Sequence, residues 1–420
     1  MPFSARQGFF GEGRTNFIFP TWNNDPTKAE YLTEIGSWSN SSVATGTLRQ
    51  TNASGATNKY SGGIGHPNGN IYFTPGTGIS NAKILEVQPT SAGLNFNEYS
   101  FPIIDNGNVM PMGGATSYKT SNIYLAPNTG TLLGGKKILE YDPVSNVINT
   151  IGTSIPNNKY RGAFCLPSGN IMFQPINNTL HGDSGEYIKL NPDDGTFVTY
   201  SNVTTDTAGV SDEAHFGGCV AFDGRLFVCP QKTTIIKTFD ESSNTWSTFG
   251  TTSAGGYAGM AVGNDGKIVG VPGTNRNVLI IDPDANTFVE YTATALGLTD
   301  LAANSGHAYS GAVTGSDGRV YSIPYDQQEM LIVDTEANTF VTTDFVGFGG
   351  SFSGFAVGGC ATTQGKIYTG RQGSNQIMEI TTNATLYNPY GSPYDNRNTA
   401  NTTFTAHISH SFNSGIGWPK

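Results

Sequence analysis

The chain has 420 residues, of which only 13% are charged, and its formal net charge is −10. Lys and Arg nowhere form a cluster of five or more, which excludes the basic face of a nucleic-acid-binding protein and a polybasic membrane anchor. Four Cys in so long a chain exclude a disulfide framework, so we expect buried thiols. Because apolar segments recur throughout, the 54 Gly and 21 Pro indicate a turn-dense all-β protein.

The N-terminal residues contain no apolar stretch behind a positive segment, so we expect neither a signal peptide nor a membrane-spanning segment. Residues 1–12 are interpreted as a docking segment for neighbouring proteins. Gly13–Pro20, with the sequence GRTNFIFP, matches the second strand of the repeats that follow, and YLTEIGSW stands where their third strand stands. The N-terminus therefore predicts a partial repeat that lacks its first strand.

A repeat organises the rest of the chain. Each copy opens with Tyr, Phe or Met, then any residue, then Gly, and about 41 to 56 residues separate the openings, which is typical of propeller blades. The openings are Tyr60–Gly62, Met112–Gly114, Tyr160–Gly162, Phe216–Gly218, Tyr257–Gly259, Tyr309–Gly311 and Phe352–Gly354.

One copy, residues 256–291, gives the expected blade. GYAGMAVG is a strand of small residues, which suits the crowded centre of a ring; KIVGVP, VLIID and FVEY follow as second, third and outer strands, joined by short turns. An Asp ends the third strand of several copies, and we expect these side chains to cap turns rather than to catalyse. They are Asp142, Asp240, Asp282 and Asp334.

Seven copies are complete or nearly so, and a ring must join its ends because an open edge strand invites aggregation. We expect residues 13–389 to form one all-β propeller of four-stranded blades. A composite eighth blade would combine N-terminal strands with a closing strand at Phe404–Phe412, within a C-terminal linker and strand at 390–420. The alternative is a ring of seven blades with both termini as docking extensions.

The repeat resembles propeller repeats of bacteriophage structural and host-recognition proteins. The matching motifs are Gly69-Asn70-Ile71-Tyr72, Gly169-Asn170-Ile171-Met172 and Ile280-Ile281-Asp282-Pro283, and Ser4–Phe10 resembles the leading segment of some virion proteins. The resemblance implies a virion component such as a tail fibre, an appendage or a receptor-binding protein. It carries over no catalytic residue.

Three long loops, Thr74–Lys83, Asn128–Lys136 and Ile176–Glu186, all join a second strand to a third. They therefore share one face of the ring, which we expect to be the binding face. The candidate binding residues are loop and strand-entry side chains that suit ligand contact: Trp22, Trp38, His181, Asp183, His215 and His307. Packing of the terminal tryptophans and solvation of the histidines are the alternative readings.

The search for catalytic chemistry finds no acidic or histidine cluster on the Gly-rich first strands. His407 and His410 form H-x-x-H on an expected strand, where their side chains point to opposite faces. We therefore expect no enzyme activity, no cofactor and no catalytic metal, and leave a structural calcium open.

These observations lead to the expectation of a non-enzymatic protein on the virion exterior, made in the host cytoplasm, that contributes to host attachment. Its partners would be other virion proteins through the N-terminal segment and a host surface glycan or protein, with no nucleic acid, no membrane insertion and an oligomer in the particle. A secreted lactonase-like hydrolase and a cellular protein-binding scaffold are the alternatives.

Overall fold

The computed structural model describes the central part of the chain and short stretches near its ends. The described residues are 38–42, 60–66, 68–75, 83–90, 93–101, 111–127, 136–155, 159–176, 186–201, 203, 214–263, 265–298, 307–315, 318–327, 329–344, 356–361, 366–371, 376–381, 408–410 and 414–416. Every regular element within them is a β-strand, which confirms the all-β class.

The strands of the first four blades follow one another along the chain, four to a sheet. Blade 1 contains β2 (Tyr60–Gly65), β3 (Ile71–Pro75), β4 (Lys83–Thr90) and β5 (Gly93–Ser100); blade 2 contains β6 (Pro111–Thr116), β7 (Ile123–Pro127), β8 (Lys136–Asp142) and β9 (Val147–Ile155); blade 3 contains β10 (Lys159–Cys165), β11 (Ile171–Ile176), β12 (Tyr187–Leu190) and β13 (Phe197–Tyr200); blade 4 contains β14 (His215–Val220), β15 (Leu226–Pro230), β16 (Ile235–Asp240) and β17 (Thr245–Thr251).

Two further blades repeat this order, and the last borrows a strand from the N-terminus. Blade 5 contains β18 (Tyr257–Val262), β19 (Ile268–Pro272), β20 (Asn277–Asp282) and β21 (Thr287–Thr292); blade 6 contains β22 (Tyr309–Thr314), β23 (Val320–Pro324), β24 (Glu329–Asp334) and β25 (Thr339–Asp344); blade 7 contains β26 (Ala356–Ala361), β27 (Lys366–Arg371), β28 (Gln376–Thr381) and β1 (Trp38–Ser42). All pairings within these sheets are antiparallel, with consecutive strands adjacent.

The seven four-stranded sheets formed by the described residues make a closed ring. The first strand of each blade contacts the first strand of the next, and the series returns from β26 to β2. First strands therefore surround a central channel, and outer strands lie at the rim. The predicted propeller of four-stranded blades is confirmed.

The ring closes differently from the composite eighth blade that the sequence suggested, and that prediction is wrong. The strand β1 pairs with β28, from Trp38 opposite Ile380 to Ser42 opposite Gln376, as the outer strand of blade 7. Among the described residues, the last repeat supplies three strands, and its outer edge takes up the N-terminal strand as a fourth. The partial repeat at Gly13–Pro20 lies outside the described residues.

The C-terminal closing strand is also corrected. Within Phe404–Phe412, the described residues Ile408–His410 form β29, which pairs with β30 (Ser414–Ile416) as a separate two-stranded sheet. Between them, β29 and β30 contact the first strands of all seven blades, from β2 to β26. The hairpin therefore lies at the centre of the ring and supplies no strand to a blade.

A β-bulge interrupts every first strand, as the register shift from Tyr257 to Met260 illustrates in blade 5. Positive-φ glycines occupy six of the seven bulges, namely Gly62, Gly113, Gly217, Gly259, Gly311 and Gly358. Such backbone angles exclude most side chains, which explains the Gly of the opening motif.

The strand register also corrects the alignment of three openings. His215 pairs with Pro230 as Tyr257 pairs with Pro272, so His215 rather than Phe216 occupies the opening position of blade 4. By the same criterion, blade 2 opens at Pro111 and blade 7 at Ala356.

The core lies between and within the blades and uses large residues from the first, second and third strands. Buried clusters join neighbouring blades, for example around Tyr124, Phe164 and Phe173, which are fully buried. The four cysteines are free and buried, as predicted.

Candidate functional site

The two faces of the ring carry different connections. In an antiparallel blade, the turns from first to second and from third to fourth strand lie at one end of the sheet. We call this end the turn face. The connections from second to third strand and from blade to blade lie at the other end, the loop face. The three long loops of the sequence leave β3, β7 and β11 at the loop face, although most of their own residues lie outside the described ones.

Hydrogen bonds join neighbouring blades at the turn face. His66 Nε2 lies 2.6 Å from the Ser121 carbonyl oxygen, and Ser117 Oγ donates to the Gly169 carbonyl oxygen at 2.7 Å. Burial lowers the pKa of His66, so its imidazole is neutral near pH 7. This face therefore has a structural role.

The aspartates that end third strands cap turns on this same face. Backbone N–H groups donate to Asp142, Asp240, Asp282 and Asp334 at 2.8, 2.8, 2.9 and 2.9 Å, which confirms the predicted capping role. An Asn with positive φ follows in each of these turns, and Asn tolerates that conformation better than most residues. The Asp-to-Asn spacing of the repeat is thus explained by turn geometry.

Polar and charged residues from three blades gather at the loop face. Lys232 lies after β15, Arg276 after β19 and Asp326 after β23, at the corresponding corners of blades 4, 5 and 6. His307 lies just before β22, and the Asp326 N–H donates to its carbonyl oxygen at 3.0 Å. We call Lys232, Arg276, His307 and Asp326 the mouth cluster.

Backbone hydrogen bonds hold the mouth cluster in place. The guanidinium of Arg276 donates through Nη1 to the Gly273 carbonyl oxygen at 2.8 Å, and the Ala308 N–H donates to that same carbonyl at 3.0 Å. The ring of Tyr325 meets the ring of His307 edge-on, with the centroids 6.2 Å apart. The cluster therefore sits on hydrogen-bonded corners rather than on free loops.

The electrostatics of the cluster keep His307 neutral. Burial lowers its pKa, Asp326 acts in the opposite direction, and the positive charges of Arg276 and Lys232 lower it further. Burial also lowers the pKa of the Arg276 guanidinium, which Asp326 partly offsets. At neutral pH the cluster combines two cations, one carboxylate and a neutral imidazole able to accept or donate a hydrogen bond.

His215 is placed inside blade 4 rather than at the channel mouth. It occupies the position of Tyr60 in blade 1 and Tyr257 in blade 5, whose hydroxyls donate to Glu98 and Glu290 at 2.6 Å. The shorter His215 instead donates from Nε2 to the Ile235 carbonyl oxygen at 3.3 Å. Burial lowers its pKa to about 4. Its position is that of a blade-packing residue.

The other sequence-predicted residues are not brought together within the described structure. Trp38 lies in β1 at the rim of blade 7, remote along its sheet from the first strands. Trp22, His181 and Asp183 lie outside the described residues. Of the six candidates, only His307 belongs to the mouth cluster.

The sequence reading missed Lys232, Arg276 and Asp326. A signal was available, because each follows the proline that ends a second strand, Pro230, Pro272 or Pro324, by two to four residues. Superposing the copies at that proline would have placed the three side chains at equivalent corners.

In the part of the chain that the structure describes, no group of three or more His, Cys, Asp or Glu residues could hold a metal ion. A search of those same residues also finds no helix suited in length and apolar character to spanning a membrane.

Comparison with known proteins identifies the class of fold. No protein-family model matches the chain, and no curated protein matches it. A streptogramin B lyase structure matches with a TM-score of 0.58 at 16% identity, covering 80% of this chain and 97% of the other. Virginiamycin B lyase from Staphylococcus aureus matches with the same score and identity, covering 79% and 97%.

A third solved structure, YCF48 bound to the D1 peptide, matches with a TM-score of 0.54 at 11% identity, covering 83% of this chain and 100% of the other. At these identities the similarity establishes the shared propeller fold alone.

The comparisons also correct the expectation that the chain is not an enzyme. Structures with its fold include virginiamycin B lyase, an enzyme. The Gly-rich first strands and the lack of a familiar motif therefore do not support a non-enzymatic assignment.

Proposed function

We propose that the protein is a recognition propeller that binds an acidic glycan through the mouth cluster on its loop face. One observation carries the proposal, namely that two cations and a neutral imidazole gather around one carboxylate at the loop face. On the turn face, cations such as Lys119 and Arg225 pair with nearby carboxylates, Asp193 and Asp223, at 2.9 and 2.7 Å. At the mouth cluster, Lys232 and Arg276 gather with His307 around one carboxylate, Asp326.

The chemistry of the cluster suits a sugar acid. A guanidinium and an ammonium attract a carboxylate, and the guanidinium can bind it with two hydrogen bonds. Asp326 and the neutral His307 can accept hydrogen bonds from hydroxyls, and Tyr325 offers an aromatic ring for stacking against a sugar face. The long loops of blades 1 to 3 leave the same face and would extend the contact area.

A virion is the setting that we propose for this recognition. Support comes from the low charge and acidic balance of the chain and from the resemblance of its repeats to those of phage propellers. Residues 1–12 would attach the ring to neighbouring virion proteins, and many weakly binding copies on one particle would give useful avidity. Mass spectrometry of purified particles tests this setting, and absence of the protein from them would exclude it.

Binding is tested with sialyllactose and its neutral parent lactose, using calorimetry at low salt. We expect sialyllactose to bind and lactose to bind at least ten times more weakly. Arg276→Met and Lys232→Ala should each weaken binding about tenfold, whereas Lys119→Ala on the turn face should leave it unchanged. Equal binding by all variants, with unchanged melting temperatures, would contradict the proposal.

Turnover of a bound ligand is the second candidate, favoured by the neutral imidazole of His307 at the mouth of a fold shared with a lyase. One related structure describes a catalytically inactive histidine-to-alanine variant of virginiamycin B lyase with quinupristin. Incubation of this protein with quinupristin, followed by mass spectrometry, tests the analogy. Product that disappears in His307→Ala would support it, and an unchanged antibiotic would exclude that reaction.

A further inference from the structure

We propose that the central channel is a docking site for the chain's own C-terminal hairpin, β29 and β30, which acts as a removable plug. This inference goes beyond the recognition proposed for the mouth cluster and does not depend on it. Three features of the described structure carry it: the contacts of the hairpin, the nature of the channel wall, and the independence of ring closure from the hairpin.

The contacts place the hairpin on the axis. Its strand β30 contacts β14, β18 and β22, while β29 contacts β2, β6 and β10, and both contact β26. A segment attached to the outside of the ring could meet the first strands of one or two blades at most. Contact with the first strands of all seven blades requires a position inside the channel.

The channel wall leaves backbone groups that an occupant can cover. Every first strand is the edge strand of its sheet, so half of its N–H and C=O groups have no partner within the sheet. The positive-φ glycines of the bulges, such as Gly62 and Gly358, add no side chain to cover them. The described hairpin residues pair as a narrow two-stranded sheet, which fits a channel bounded by the first strands of seven blades.

The hairpin can leave without opening the ring. Blade 7 is completed by β1, and β29 and β30 hydrogen-bond only with each other among the described strands. Residues 382–407 join β28 to β29, and at about 3.3–3.6 Å per extended residue this segment can span roughly 90 Å when extended. Covalent attachment at this distance keeps the plug at high local concentration while allowing it to withdraw.

The test uses the full chain with the hairpin disrupted in place. Ser409 lies in the middle of β29, opposite Gly415. Ser409→Pro removes an N–H group and restricts φ, so it should prevent hairpin pairing, whereas Ser409→Ala should preserve it. Hydrogen exchange read by mass spectrometry should then be at least about tenfold faster in Tyr257–Val262 and Tyr309–Thr314 of the Pro variant only. The outer strand Thr287–Thr292 should exchange at the same rate in all three proteins.

Unchanged exchange in the first strands of Ser409→Pro would overturn the proposal. Faster exchange in all strands alike would also overturn it, because the hairpin would then stabilise the whole fold instead of covering the channel.

A second measurement tests whether the hairpin in the channel belongs to the same chain or to a second copy of it. A protease site inserted after Tyr390 allows cleavage once the ring has folded, and the fragment should co-elute with a monomeric ring until excess synthetic peptide of residues 404–418 displaces it. A peptide of the same composition in scrambled order should displace nothing. Immediate loss of the fragment would overturn the proposal, and dimers held together through exchanged hairpins would overturn the assignment to the chain's own segment.

Discussion

Glu86 is a buried carboxylate held by neutral donors. Asn70 Nδ2, Asn97 Nδ2 and the hydroxyls of Tyr72 and Tyr99 donate to it at 2.7, 2.9, 2.8 and 2.8 Å. Burial alone would raise its pKa, but the four hydrogen bonds outweigh burial and lower the pKa below 4.5. The stability that it contributes is present above the unfolded-state pKa and is lost as the pH falls through the folded-state pKa.

Glu86→Gln should destabilise the ring by about 3 kcal/mol, because the amide nitrogen that replaces one carboxylate oxygen would face the Nδ2 donor of Asn70 or Asn97. The matched control is Glu140→Gln in blade 2, where Asn122 and Tyr124 are the donors and the residue is only partly buried. We expect its cost to be about 1 kcal/mol. Urea denaturation at pH 7 measures both, and equal losses would contradict the argument.

The buried His215 should make the fold sensitive to mild acid. Its folded-state pKa is about 4, well below the ordinary value of 6.5, so folding favours the neutral imidazole. Stability is therefore full above about pH 6.5 and falls as the pH drops toward 4, by about 3 kcal/mol at most. His215→Phe should melt with a flatter pH profile over that range. Parallel profiles for the two proteins would contradict this assignment, since His66 is common to both.

At the scale of the element, the first strands depend on close approach of backbones. A Cβ atom added at Gly218 would lie 2.1 Å from the Phe227 carbonyl oxygen of the neighbouring strand. Gly69 has a φ of 87° but no heavy atom within 4 Å of an added Cβ. A substitution there therefore measures the cost of the positive φ without a steric clash.

Gly218→Ala should therefore cost more than about 3 kcal/mol or prevent folding, while Gly69→Ala should cost about 1–2 kcal/mol. Thermal melting of the two purified variants measures the difference. A similar cost at both positions would mean that the second strand shifts freely, contrary to the packing described.

Strand order within a repeat could be predicted from the sequence because Gly, Pro and Asp mark its turns. The position of Tyr257 against Pro272, for example, follows directly from the pattern. The opening of blade 4 could not be placed, because His215 differs in type from the tyrosines that it replaces. Only the strand register reveals that equivalence.

At the scale of the whole molecule, ring closure depends on five residues near the N-terminus. Deleting residues 1–42 should leave β28 as an exposed edge, so the protein should aggregate or lose its sharp melting transition. Deleting residues 1–12 serves as the control and should not affect melting. Light scattering and calorimetry measure both outcomes, and a sharp, unshifted transition in the longer deletion would contradict the closure.

The closing strand and the mouth cluster escaped prediction for the same physical reason. WSNSS has no alternation of apolar and polar residues, so only the free edge of blade 7 determines where it pairs. Lys232, Arg276 and Asp326 stand in three separate repeats, and only the curvature of the ring brings them to one place. Local pattern predicts blades well, whereas contacts that join distant repeats depend on the closed ring.

The pairing of β1 with β28 also fixes the order of events during synthesis. Ser42 leaves the ribosome long before its partner Gln376, with a delay of roughly 20–70 s at about 5–20 residues per second. During that interval the six intervening blades can form in sequence, while β1 has no partner strand until β28 has been made. Completion of the ring therefore waits until the last repeat has been made, and a chain whose translation stops before residue 376 exposes an unpaired N-terminal strand that chaperones and proteases can bind.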